Sequence, residues 1–320
     1  IRALEPTGGL WDDPVIVQSS GAVGQYTSLH VVEGNPAISY QDGSSNLVYI
    51  RSTDINGVAW DTPVTLDSSG LVGLYTSLNI ANGRPAVSYY DTTNDDLRYV
   101  SSMDSTGVSW NSPETVDSVG DVGQYTSLAF IDGVSHISYY DNTNNRLKVA
   151  QFRDQLGFSS SSSSSFDSSS STNSSSSSEE AWLKSTVDIG ENVGQYTSLK
   201  VVNSNPAISY YDIENGNLKY ARYNGSSWDT TTVDSSSTVG QWTSLAVVDG
   251  KPAISYYNSS TSDLKYVIAL DVNGDTWDTP IIVDSGGTTG QYTSLAVINS
   301  RPAIAYHYVS SQDLRYVRAL

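Results

Sequence analysis

Apolar and polar side chains alternate in short runs along most of the chain, and the runs recur. In Pro206–Asp212, Ala207, Ser209 and Tyr211 fall on one side while Ile208 and Tyr210 fall on the other. That is the period of two of a β-strand. Such runs are bounded by Gly, Asn, Asp and Pro, and almost nothing keeps an apolar stripe at helical spacing. The hexapeptide Gly-Gln-Tyr-Thr-Ser-Leu begins at Gly24, Gly123, Gly194 and Gly290, with variants at Gly73, where Leu74 replaces Gln, and at Gly240, where Trp242 replaces Tyr. Its aromatic residues are spaced by 49, 50, 71, 46 and 50 residues, and the longest step holds a serine-rich insertion. A period near 50 repeated six times signals a repeat architecture.

Each unit predicts four strands, A to D. Strand A carries Tyr-Thr-Ser-Leu-x-Val. A tight turn such as Asp249–Pro252 leads to B, Pro-Ala-Ile-Ser-Tyr-Tyr-Asp. A polar loop leads to C, Asp-Leu-Lys/Arg-Tyr-Val, and a Gly-containing loop ends on the tryptophan that opens D. Four strands in each of six units predict an all-β, six-bladed β-propeller with antiparallel blades, a closed arrangement that protects sheet edges. The chain is read as one domain over 1–320, with the serine-rich stretch 159–178 as a low-complexity insertion between C and D of blade three. It opens before a D strand and ends after a C strand, so the N-terminal strand is expected to complete blade six. Arg2-Ala3-Leu4 repeats Arg318-Ala319-Leu320, which suggests self-association through the ends.

Composition narrows the partners. Sixteen basic against 34 acidic residues give a formal charge of −18, which argues against nucleic acid. There is no cysteine, and no apolar stretch is long enough for membrane insertion. Few lysines among abundant Ser, Thr, Asn and Tyr point to an extracellular or cell-surface protein.

The loops Ser52–Trp60, Ser102–Trp110 and Ala269–Trp277 resemble the Asp-box of BNR-type propellers, Ser-x-Asp-x-Gly-x-x-Trp, with one extra residue between Asp and Gly. The resemblance spans all the repeats. It implies a propeller and says little of activity, because that family holds sialidases and other glycosidases as well as lectins and adhesins. It also implies a structural role for the aspartate and tryptophan. Sialidases use three arginines, whereas Arg98, Arg146 and Arg315 here share one strand C position with Lys219 and Lys265, so no catalytic assignment is carried over.

Propeller topology puts the D–A and B–C loops on one face. That face is expected to offer Gln25, Gln124, Gln195, Gln241 and Gln291, the tyrosines Tyr90, Tyr140, Tyr211 and Tyr257, the aspartates Asp42, Asp91, Asp141 and Asp212, and His307. Rings that stack and amide or carboxylate groups that orient are the materials of a carbohydrate site. The same residues also suit blade packing and turn capping. No cofactor is expected. Calcium is the one cation the sequence suggests, because Asp271–Asp275 resembles the start of an oxygen-rich calcium loop. The expected function is a non-catalytic binding or adhesion propeller that recognises carbohydrate or a cell-surface glycan through repeated shallow sites. The alternative is a structural or assembly subunit of a surface layer, appendage or filament. A glycoside hydrolase ranks below both, because no pair of carboxylates stands out from the repeat.

Overall fold

The computed structural model describes residues 15–19, 24–152, 181–298, 300–311 and 313–319. They form six antiparallel sheets, each meandering in chain order from an inner strand outward. Blade one comprises Gln25–Val32, Asn35–Gln41, Leu47–Arg51 and Val64–Asp67; blade two comprises Leu74–Ala81, Arg84–Asp91, Asp96–Ser101 and Glu114–Asp117. Blades three, four and five follow the same plan over 122–188, 193–234 and 239–284. Blade six has three strands, Thr289–Ile298, Arg301–Tyr308 and Asp313–Arg318. The serine-rich insertion 159–178, Trp11 and the repeated Arg2-Ala3-Leu4 lie outside the described residues.

The repeat exists to join blade to blade. Strand B is buried on both faces, as in Asn205–Asp212, because a neighbouring blade covers each side. The threonine of Tyr-Thr-Ser-Leu meets the strand B serine of the preceding blade: Thr76 with Ser39, Thr126 with Ser88 and Thr293 with Ser255, at 2.6–2.7 Å. The serine after it accepts the leucine N–H of the next blade, as Ser28 does from Leu78 and Ser77 from Leu128. The leucine then fills the core between the blades. The preceding glycine is obligatory at four repeats. At Gly240, φ is +104° and an added Cβ would lie 2.7 Å from the Leu218 Cα.

A polar lock lies further out at each of five junctions. The last residue of strand D is an aspartate that accepts the strand B tyrosine hydroxyl of the next blade. The pairs are Tyr89–Asp67, Tyr139–Asp117, Tyr210–Asp188, Tyr256–Asp234 and Tyr306–Asp284, at 2.5–2.7 Å. The strand C cation closes the set: Lys148 on Asp117, Lys219 on Asp188, Lys265 on Asp234, Arg315 on Asp284, and Arg98 at 3.6 Å from Asp67. In blade three this place belongs to Lys148 and not to Arg146, which lies two residues earlier, faces Asp141 across the ladder and is exposed. The cations that share the register are therefore structural.

The expected N-terminal closure of blade six does not hold. Residues 15–19 belong to no strand, and strand Asp313–Arg318 pairs only with Arg301–Tyr308 among the described residues. Val17 rests against Ile38, Tyr40, Val48 and Ile50 of blade one, the place Leu66 takes on blade two. The lock is missing there, which gives the physical reason. Gln18 stands where the other D strands end in aspartate, and Val48 stands in the register of the cations. Leu29 and Leu314, whose counterparts Leu78 and Leu264 are buried, are 68% and 73% exposed.

Candidate functional site at the axial mouth

The hexapeptide aromatics Tyr26, Tyr75, Tyr125, Tyr196, Trp242 and Tyr292 line the inner strands. Each is non-glycine yet sits at positive φ, 50–56°. Each lies where the A–B ladder slips its register, and the bulge swings the ring out of the pleat. The left-handed conformation costs about 1 kcal/mol or more per residue. In exchange, consecutive rings meet at centroid distances of 4.6–5.3 Å and form an aromatic collar. Burial raises the phenols of Tyr75, Tyr125 and Tyr196 above their ordinary range, so these three rings are neutral.

A second tier stands beside it. Tyr90, Tyr140, Tyr211 and Trp242's neighbour Tyr257 lie 5.3–6.4 Å from collar rings, and His307 lies 6.2 Å from Tyr292. Of the residues singled out in the sequence, glutamine and tyrosine are brought together, with a twist. Gln124 faces Tyr140 in the ladder of its own blade, but its amide partly offsets the rise of the Tyr90 phenol in the blade before, as Gln195 does for Tyr140 and Gln241 for Tyr211. Gln291 pairs with His307 across its ladder, and Gln25 is exposed. The aspartates do not join them. Asp91, Asp141 and Asp212 are buried and cap the B–C turns through Asn94, Asn144 and Asn215, while Asp42 caps Ser44 and Asn46. The repeated groups thus serve one another more than they face solvent.

One junction breaks the symmetry. Between blades two and three the Tyr90 hydroxyl lies 2.9 Å from Asp95 Oδ1 and 2.7 Å from Asp121 Oδ1. Asp95 is exposed on the B–C turn at φ +60°; Asp121 is half-buried on the D–A loop. The Val122 N–H donates to the Asp95 carbonyl and stitches the two loops together. Asn142 Nδ2 donates to Asp121 Oδ2 at 2.6 Å, Gln124 Nε2 lies 3.3 Å from both its oxygens, and Thr143 Oγ1 accepts its N–H. At the next junction the corresponding partners of Tyr140 are the amides Asn145 and Asn192, a neutral copy. Sequence reasoning missed this pair, which lies 26 positions apart. The signal was present in the repeat columns. Asp95 aligns with Ser45, Asn145, Gly216 and Ser262, and Asp121 with Leu71, Asn192, Thr238 and Thr288.

On the opposite face the three Asp-box loops form as the resemblance implied. The carboxylates of Asp54, Asp104 and Asp271 accept runs of backbone N–H groups, and Trp60, Trp110 and Trp277 donate their indole N–H to the loop glycine carbonyl. The run read as a calcium loop is this turn: Asp271 is occupied by the amides of Asn273, Gly274, Asp275 and Thr276.

No protein-family model matches the chain, and no curated protein sequence does either. Solved structures match by fold. An AofleA mutant from Arthrobotrys oligospora is 13% identical, with TM-score 0.57 over 93% of this chain and 86% of that one. The NanB sialidase from Streptococcus pneumoniae is 12% identical, with TM-score 0.56 over 95% and 70%. The Hadza microbial sialidase Hz136 is 16% identical, with TM-score 0.57 over 92% of this chain and 65% of its own length. The chain is a six-bladed propeller related in fold to the sialidase, Asp-box-repeat group. It spans roughly two thirds of each of those sialidases.

At these identities the likeness is one of fold. It nevertheless corrects the expectation of a non-catalytic adhesion propeller, and of its structural-subunit alternative, because enzymes acting on carbohydrate stand among the fold's solved relatives. The physical reason lies in the site. The repeated residues taken as shallow sites are engaged in blade junctions and turns, and the group that does stand apart is a pair of carboxylates. None of the described residues forms a helix long and apolar enough to cross a membrane.

Proposed function

We propose that the protein is a carbohydrate-active enzyme that hydrolyses a glycosidic bond at the axial mouth beside blade two, with Asp95 and Asp121 as its paired carboxylates. The observation that carries this reading is the Asp95–Tyr90–Asp121 trio, which is acidic at one junction only. Two carboxylate oxygens that touch the same phenol oxygen are separated by no more than the sum of its two short contacts. That brackets the roughly 5 Å of a retaining glycosidase pair. A phenol has one proton to donate and two acceptors beside it, so the trio holds that proton between two carboxyl oxygens. Passing that proton to a leaving oxygen is what general acid catalysis requires. Asp121, held by Asn142 and Gln124, is fitted to be the nucleophile; Asp95, exposed on its turn, is fitted to be the acid and base. The collar offers flat apolar faces on which a sugar ring stacks.

An exported protein acting on glycan outside the cell agrees with the composition. Arg98 and Arg315 of the strand C register are engaged in the locks and Arg146 is exposed outside that register, so the reading names no sialate substrate. The test is incubation with a panel of aryl glycosides and polysaccharides, with products read by mass spectrometry. New reducing ends that vanish in Asp95→Asn and Asp121→Asn support the proposal; a full panel without hydrolysis refutes it.

A further inference from the structure

Strand A of each blade is the innermost strand and pairs with strand B on one side only. Its other edge faces the propeller axis, and the backbone groups along that edge need partners. The serine of Tyr-Thr-Ser-Leu supplies them. Ser28, Ser77, Ser127, Ser198 and Ser244 accept the N–H of Leu78, Leu128, Leu199, Leu245 and Leu295, each on the inner strand of the next blade, at 2.9–3.1 Å. Those N–H groups point away from strand B, so the five hydroxyls stand in one tier around the axis. Each hydroxyl accepts with its oxygen and keeps its own proton to donate. All five serines are half-buried, as groups on a channel wall are.

The next inner-edge position lies two residues further along, about 7 Å down the strand. Its column reads His30, Asn79, Ala129, Lys200, Ala246 and Ala296. Asn79 shows where the column points, because its Nδ2 donates to the Leu128 carbonyl of the next inner strand at 2.9 Å. Three of the six places are alanine and leave the axis clear, whereas blade four brings an ammonium to it. His30 stands across the ring from Lys200, since blades one and four are opposite in a ring of six. Lys200 is exposed to solvent, yet the protein around it pushes its ammonium below the ordinary lysine range. A group that is wet and still enclosed lines a channel. An ammonium held in such surroundings is relieved by an anion.

We infer that the axial channel binds one small inorganic oxyanion of the sulfate or phosphate kind, held by the Lys200 ammonium and the O–H groups of the serine tier. A ring of hydroxyl donors around one axis suits an anion with several equivalent oxygens, because each oxygen meets a donor whichever way the ion turns. The flexible lysine stem carries three N–H donors, and a bond from a charged donor is about twice as strong as a neutral one. The carboxylates of Asp67, Asp117, Asp188, Asp234 and Asp284 stand further out, each countered by its own strand C cation. The site lies along the strands beyond the aromatic collar, uses neither Asp95 nor Asp121, and does not depend on the proposed hydrolysis.

The test is calorimetric titration of the full chain at pH 7 with sodium sulfate, and soaking of its crystals in selenate, whose selenium marks the anion by anomalous scattering. The expected result is one sulfate per chain, affinity at least about tenfold weaker in Lys200→Met, and a selenium peak on the axis beside Lys200. Lys200→Met removes an enclosed charge and should melt no lower than the parent, so its loss of binding is not a loss of fold. Ser198→Ala tests the hydroxyl tier independently and should weaken sulfate binding severalfold while the chain still melts cooperatively. Parental affinity in Lys200→Met, selenium peaks on the outer surface alone, or no binding of sulfate overturns the inference.

Discussion

The five tyrosine–aspartate–cation locks invite a comparison that the protein itself controls. Removing the Tyr256 hydroxyl by Tyr256→Phe takes one hydrogen bond from Asp234, a buried carboxylate that keeps Lys265 at 2.6 Å. A hydrogen bond to a charged group contributes about 1.5–3 kcal/mol. The sixth tyrosine of the series is Tyr40, equally buried, but position 18 beside it is glutamine and among the described residues no carboxylate accepts its hydroxyl. Tyr40→Phe should therefore cost about 0.5 kcal/mol or less, the usual range for a change away from such features. Asp234→Ala is harsher. It strands both Lys265 and Tyr256, and removing one partner of a buried pair costs about 3–5 kcal/mol. The assay is urea unfolding followed by tryptophan fluorescence, comparing midpoints at unchanged slope. Equal losses for Tyr256→Phe and Tyr40→Phe, or a loss below about 1 kcal/mol for Asp234→Ala, would refute the idea that the locks hold the blades.

Further outcomes follow from the same structure. Burial alone would raise the carboxyls of Asp117, Asp188 and Asp234, but their lysine and tyrosine partners outweigh it and hold them below the ordinary range. A depressed native value stabilises above the unfolded value near pH 4 and is lost as pH falls through the native one. The melting temperature should stay level from neutral pH to about 5 and drop below about 4, and a drop that starts near pH 6 would assign the acid sensitivity elsewhere. Gly240→Ala, with a Cβ 2.7 Å from the Leu218 backbone, should destabilise far more than Gly250→Ala, whose Cβ meets open space; denaturant midpoints decide between them. Asp104→Asn should lower the melting temperature by more than Asn111→Ala, since Asp104 gathers the amides of Thr106, Gly107, Val108 and Ser109.

Most of the architecture was legible because each repeat residue has one task. Tyr-Thr-Ser-Leu reads as a strand, and every one of its side chains turns out to address a neighbouring blade. The alternation that sent Tyr89 and Tyr90 to opposite faces also proved informative, with Tyr89 reaching back to Asp67 and Tyr90 forward to Asp121. The closure was misread because it was argued from strand count alone. The residues that make a junction hold, Asp at the end of D and a cation on C, are Gln18 and Val48 at that seam. The site was harder to read for a related reason. Repetition was taken as the mark of function, and the repeated tyrosines and aspartates are also the ones that pack the blades and cap the turns, whereas the proposed carboxylate pair stands where the columns depart from the repeat. Asp95 and Asp121 come from different blades, so only the fold brings them to one phenol.

The most direct measurement of the central claim is the initial rate of aglycon release from the best aryl glycoside, for the parent protein, Asp121→Asn, Asp95→Asn and the neighbouring-junction control Asn145→Ala, with the anomer of the first product followed by NMR. The account predicts retained configuration, losses of about 100-fold or more in both aspartate variants, and a near-parental rate in the control. Hydrolysis at the parental rate in Asp121→Asn, or inversion of the anomer, would contradict it.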